Sequence, residues 1–176
     1  MTRLPLALAL MLASTLPAAA FDAADRNAVT QEVAGFEKAV QEKEYDVFFD
    51  TVPPKMMKSI AQTNGITVDK LEDTMQTQIK KAMSKVTMKS FHMDVSAMTT
   101  GKTSTGRAYA QIPTTSEMEV PNMGTVRATN TTLALKDNGE WYLVRIDSPA
   151  QQEILRKVYP DFKDVSFPKG TLETLN

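Results

Sequence analysis

The chain has 176 residues, with 20 Lys and Arg against 21 Asp and Glu, one histidine and no cysteine. A near-neutral chain with no basic block lacks the electrostatic footprint of a nucleic-acid binder or of a protein held to a membrane by charge. The lack of cysteine excludes a disulfide framework, a lipid-modified N-terminal cysteine and a thiol nucleophile, and one histidine is too few for a structural zinc site.

Met1 to Ala20 reads as a secretory leader: Arg3 is the positive start, Leu6 to Leu16 the apolar run, and Ala18-Ala19-Ala20 the small-residue pattern before a cleavage point. The expected mature chain is 21–176, a single domain in the bacterial periplasm or secreted, with 19 basic against 21 acidic residues. The apolar run is short for a bilayer span and meets Asp22, Asp25 and Arg26 at once, so no stable membrane anchor is expected after cleavage. An uncleaved anchor is the alternative. In that compartment the Asn130-Thr131-Thr132 sequon is incidental.

Val29, Val33, Phe36 and Val40 form one apolar stripe and predict an amphipathic helix over 25–43. Tyr45, Val47, Phe48 and Phe49 follow as an apolar patch that stops at Pro53-Pro54. A short helix from Pro54 to Thr63 is expected, with proline at its start and Asn64-Gly65 as its left-handed stop. Thr67 is placed to cap a third helix with Val68, Leu71, Met75, Ile79 (or Gln78), Ala82 and Val86 on its apolar side. Acidic residues at its start and lysines at its end match the helix dipole.

The period then changes to two. From Val86 to Met98, Phe91, Met93, Val95 and Ala97 share one face, and Ser90, His92, Asp94 and Ser96 the other. Thr99 to Gly106 reads as a turn and Arg107 to Thr114 as a strand that ends, or lies at an edge, at Pro113. After a turn over 120–124, a long strand runs through Val126 to Leu135. Asn138-Gly139 has the residues of a type I′ hairpin turn and returns the chain as Trp141 to Ile146. Ser148-Pro149 starts a closing helix with Ile154, Leu155 and Val158 on one face; the tail from Val165 is expected to be extended and pinned at Phe162, Val165 and Phe167.

These elements describe an α+β domain, N-terminal helices on a curved four-stranded antiparallel sheet with a C-terminal helix and an extended tail. Their order, together with the Gly139-Glu140-Trp141-Tyr142 hairpin, resembles the nuclear-transport-factor-2-like superfamily and its exported domains over Val29 to Ile146. That resemblance implies a sheet wrapped around a helix with a conical pocket, used for catalysis by some members and for binding or dimerisation by many. The closing helix and the tail depart from its simplest form.

The expected function is a non-catalytic binding or protein-interaction module, with no cofactor, whose partner is a small apolar ligand, another protein or a second copy of the chain. Tyr109, Trp141, Tyr142 and Arg145 are the candidate contact residues; Trp141 and Tyr142 must point to opposite faces. The alternative is an enzyme of isomerase, lyase or hydrolase type in which Asp94 orients His92 for proton transfer. Opposing it, His92 lies across the strand from an apolar face, as on a solvated sheet. If the His92 face held the pocket, Arg107 and Arg127 would join the candidates. A third possibility is Cu(I) held by Met88, His92 and Met98 on one uninterrupted strand.

Overall fold

The computed structural model describes residues 21–175, so the leader expected at 1–20 lies outside the described residues. Helix α1 (Ala23–Glu42) opens on a reciprocal capping box, Asp22 accepting from the Asp25 amide at 2.8 Å while the Asp25 carboxylate accepts from the Asp22 amide. Its predicted stripe buries Val29, Val33 and Val40, and it ends on Lys43 in the left-handed region. The apolar patch after it forms the single turn α2 (Val47–Asp50). Helix α3 (Pro54–Thr63) has proline at its start and closes in a Schellman motif: the Ile66 amide donates to the Ala61 carbonyl and the Gly65 amide to that of Gln62, with Gly65 at φ +65. Thr67 caps α4 (Val68–Met83) as expected.

The strands are β1 (Thr87–Met93), β2 (Thr99–Lys102), β3 (Ala108–Val120), β4 (Gly124–Asp137) and β5 (Glu140–Arg145), followed by α5 (Pro149–Val158), a 3-10 turn (Pro160–Phe162) and β6 (Thr171–Leu175). The sheet runs β1-β3-β4-β5, with β2 also on β3 and β6 also on β4, every pairing antiparallel. It curls into a half-barrel, and the molecule belongs to the α+β class. No helix of the described residues is long and apolar enough to cross a membrane.

Four expectations are corrected. The strand predicted from Val86 to Met98 is interrupted after Met93, and Thr99 to Lys102, read as turn, rejoins the sheet as β2. The break matches Pro113, which β3 carries in its middle instead of at its end. The Pro113 carbonyl accepts from the Asp94 amide at 2.8 Å, so its nitrogen faces the same side, where the β1 ladder has stopped at Thr114 and the β2 ladder resumes at Gln111. A missing N–H there leaves no ladder bond unmade. The tail, expected merely extended, adds β6 alongside residues 125–129 of β4.

Alternation along β3 and β4 divides the core. Ala110, Ile112 and Ala134 point to the α1 face, where Trp141, Leu143, Met93 and Met98 meet Val29 and Val33. Leu133, Leu135, Val144 and Ile146 point to the α5 face, against Leu155, Tyr159, Phe162 and Phe167. Burying each fully enclosed Leu or Ile contributes about 1.5–3 kcal/mol. Asn138 and Gly139 both have positive φ, as a type I′ turn requires, and so fix which residues face which side.

Candidate functional site: a cavity on the α1 face

Beyond the core on the α1 face, the helices stand off the sheet and leave a cavity of about 360 Å³. Phe36 and Val40 of α1, Phe48 of α2 and Ile79 and Met83 of α4 form the helical walls; Met88 and Phe91 of β1, Met118 of β3 and Leu143 of β5 form the sheet side. One wall is fixed by backbone: the Leu143 amide on the β5 edge donates to the Thr51 carbonyl at 2.9 Å. Across the cavity, α4 is held mainly through Leu71, which packs on Met57 and Ala61 of α3.

The floor is polar and uncharged. Thr114, Ser116, Asn130 and Thr132 interrupt the apolar run of even-numbered positions on β3 and β4. Thr114 and Thr132 share a 2.9 Å hydrogen bond between hydroxyls. The Ser116 hydroxyl and the Asn130 carboxamide have no side-chain partner among the described residues. Arg145, at the mouth, is the one charged residue lining the cavity among the described residues, and Asp147 holds it in two bonds of 3.0 and 2.7 Å.

A second polar cluster lies at the Asn138-Gly139 end of the sheet. The Arg107 guanidinium donates to Asp161 Oδ2 (3.0 Å), the Lys136 carbonyl (2.7 Å) and Asp137 Oδ1 (3.3 Å), and lies 4.8 Å from the centre of the Tyr159 ring. Asp161 Oδ2 also accepts from Thr103 and Thr105, and Asp137 from Lys55 and the Tyr159 hydroxyl. Burial pushes both carboxyls up, but these hydrogen bonds outweigh it and hold each below the usual carboxylate range. Burial, then the Asp137 charge, raises the Tyr159 phenol well above its ordinary value. Each of these charged side chains is bonded within the protein, which marks the cluster as a fastening between α3, the sheet and the 3-10 turn.

The residues singled out from sequence are scattered. His92 is on the face away from the cavity, its side chain 69% exposed, with Nδ1 3.1 Å from Glu37 Oε1. The same Glu37 oxygen accepts the Met93 amide at 2.6 Å and so covers the sheet edge. Asp94 lies past the end of β1, where one oxygen accepts from the Ser96 hydroxyl and the Ser96 and Ala97 amides. The Ser96 hydroxyl, then the Ala97 amide, hold its carboxyl below the usual range; Asp94 is the anchor of a turn, with its hydrogen bonds spent on Ser96 and the Ala97 amide. Met88 lines the cavity and Met98 is buried against α1, so with β1 interrupted Met88, His92 and Met98 do not share one strand face. No group of three or more His, Asp or Glu suited to a metal occurs among the described residues.

Of the aromatic candidates, Trp141 is core on the α1 face, edge-on to Phe21 at 5.5 Å. Tyr142 points the other way, as alternation requires, and donates to Glu140 at 2.7 Å; that bond, then burial, pushes its phenol up to about 12. Tyr109 is on the α5 face against Phe162. Arg145 alone of the four reaches the cavity, while Arg107 and Arg127 are on the opposite face, Arg127 bound to Glu117. Ser116 and Asn130 were missed. Their signal is four polar steps in an otherwise apolar same-face row, Ala110, Ile112, Thr114, Ser116 and Met118 paired in turn with Ala134, Thr132, Asn130, Ala128 and Val126.

Comparison of the chain with known proteins finds no matching protein family, no matching curated sequence and no matching solved structure.

Proposed function

We propose that the protein binds a small, largely apolar molecule in the α1-face cavity and does not transform it. The cavity carries this reading: about 360 Å³, walled by aromatic, aliphatic and thioether side chains, with a few converging polar groups, is the ordinary form of a small-molecule site. The three methionines of the helix and strand walls, Met83, Met88 and Met118, add adaptable packing. His92 and Asp94 play no part in it. The curled sheet, the helices over it and the cavity between them support kinship with the nuclear-transport-factor-2-like cone, and an exported, processed chain would meet its ligand outside the cytoplasm.

The test is a titration of the purified protein with N-phenyl-1-naphthylamine, a probe whose emission rises in apolar surroundings. Saturable binding of one probe per chain is expected. Ser116→Phe, which fills the floor, should weaken it at least about tenfold while circular dichroism stays unchanged. A linear, unsaturable signal, or full binding in a folded Ser116→Phe variant, sinks the proposal.

A further inference from the structure

The polar floor of the cavity has no net charge, and this restricts the ligand's chemistry. Resting on the binding reading above, we infer that the ligand is an uncharged amphiphile: a single medium-length hydrocarbon chain whose head both donates and accepts hydrogen bonds, such as an amide or an alcohol, and not a carboxylate, phosphate or amine.

Size sets the chain. At ~30 Å³ per water-sized group, 360 Å³ holds about a dozen non-hydrogen atoms, most of which must lie against apolar walls. The floor sets the head. The Asn130 carboxamide presents two donors and one acceptor, and the Ser116 hydroxyl one donor and an acceptor, all without a protein side-chain partner. A primary amide or a hydroxyl meets both kinds of group, whereas a carboxylate offers acceptors only. Charge decides between them. Arg145 is the sole lining cation among the described residues, and Asp147 already neutralises it through two short bonds, so an anionic head would enter the cavity without a free compensating charge. An ammonium head fares no better, because no carboxylate lines the cavity among the described residues.

The experiment is displacement of N-phenyl-1-naphthylamine at neutral pH by octanamide, octanol and octanoate, which share a chain and differ in the head; octanoate is fully ionised there. Octanamide and octanol should displace the dye at concentrations at least about tenfold lower than octanoate. Asn130→Leu, which keeps the bulk and removes the hydrogen bonds, should cost octanamide about tenfold, with an unaltered circular dichroism spectrum and thermal unfolding curve showing that the variant is folded. Octanoate equal to or better than octanamide, or an Asn130→Leu variant with full octanamide affinity, overturns the inference while leaving the cavity's binding role intact. Absence of any dye binding takes both readings down together.

Discussion

Polar side chains are set among apolar ones at two places on the β3–β4 pair, and the two are handled in opposite ways. Near the Asn138-Gly139 turn, Arg107, Asp137, Asp161 and Tyr159 carry formal charges or a buried phenol, and every one is bonded within the protein. At the cavity, Ser116 and Asn130 carry no charge and bond no side chain among the described residues. A buried charge must be paired at once or the fold fails, but a neutral hydroxyl or amide bordering a cavity can be left for solvent or ligand at modest cost. The first cluster is therefore built for stability and the second for binding, and substitutions should separate them.

Arg107→Ala should produce the largest loss. It leaves the 5–7% exposed Asp137 and Asp161 carboxylates without their shared guanidinium, a change of about 3 kcal/mol, or a fall of about 6–12 °C in Tm, read by urea and thermal unfolding. Dye binding in the surviving folded protein should be unaltered; a joint loss of both would mean that the two clusters are one unit. Acid should reach the same fastening. Both carboxyls are held below their unfolded value near pH 3.9, so their contribution is complete above that value and is lost as pH falls through the lower folded values. Unfolding free energy should be level from about pH 7 to 5 and drop below about pH 4. In Arg107→Ala, with desolvation no longer opposed by the guanidinium, both folded values rise toward the unfolded one, so the acid-induced drop should become smaller.

Gly101→Ala comes next, at about 2 kcal/mol. A Cβ there would stand 2.5 Å from Tyr109 Oη, across the β2–β3 pair, so the Tyr109 ring must leave Phe162 or β2 must detach. An unchanged stability would remove β2 from the sheet. Thr114→Val should cost only about 1 kcal/mol, the value of the hydroxyl pair with Thr132, and should leave dye affinity equal or slightly higher because the floor becomes more apolar.

The contrast between the clusters also shows how far sequence reasoning reaches. Helix stripes, the Thr67 and Ser148 caps, the Asn64-Gly65 stop and the Asn138-Gly139 hairpin were legible because each depends on residues within a few positions of one another. The α+β class follows from them. β2 and β6 were not, since Thr99-Thr100-Gly101-Lys102 and Thr171 to Leu175 are largely exposed edge strands without the alternation that a buried face imposes. The same limit hid the site. His92 and Asp94 drew notice as reactive types two apart, but the turn at Asp94 is set by Pro113 on another strand. Ser116 and Asn130 face one cavity only through the β3–β4 register and the standoff of α4, neither of which is local.

The smallest predicted effect is the one that bears most on function. His92→Ala removes the only histidine, the residue on which any proton-transfer reading depends. Its ring is mostly exposed and its polar contact among the described residues is the Glu37 oxygen, which keeps its 2.6 Å bond to the Met93 amide when the ring is gone. An exposed pair of this kind contributes at most about 0.5 kcal/mol. Stability should therefore change by no more than that, and dye and octanamide affinities should not move. A loss of ligand affinity in His92→Ala would place the functional surface on the sheet edge and not in the cavity, reversing the assignment of the two faces. Unaltered affinity, set beside the tenfold loss expected for Asn130→Leu, would confine recognition to the uncharged floor between α1, α4 and the sheet.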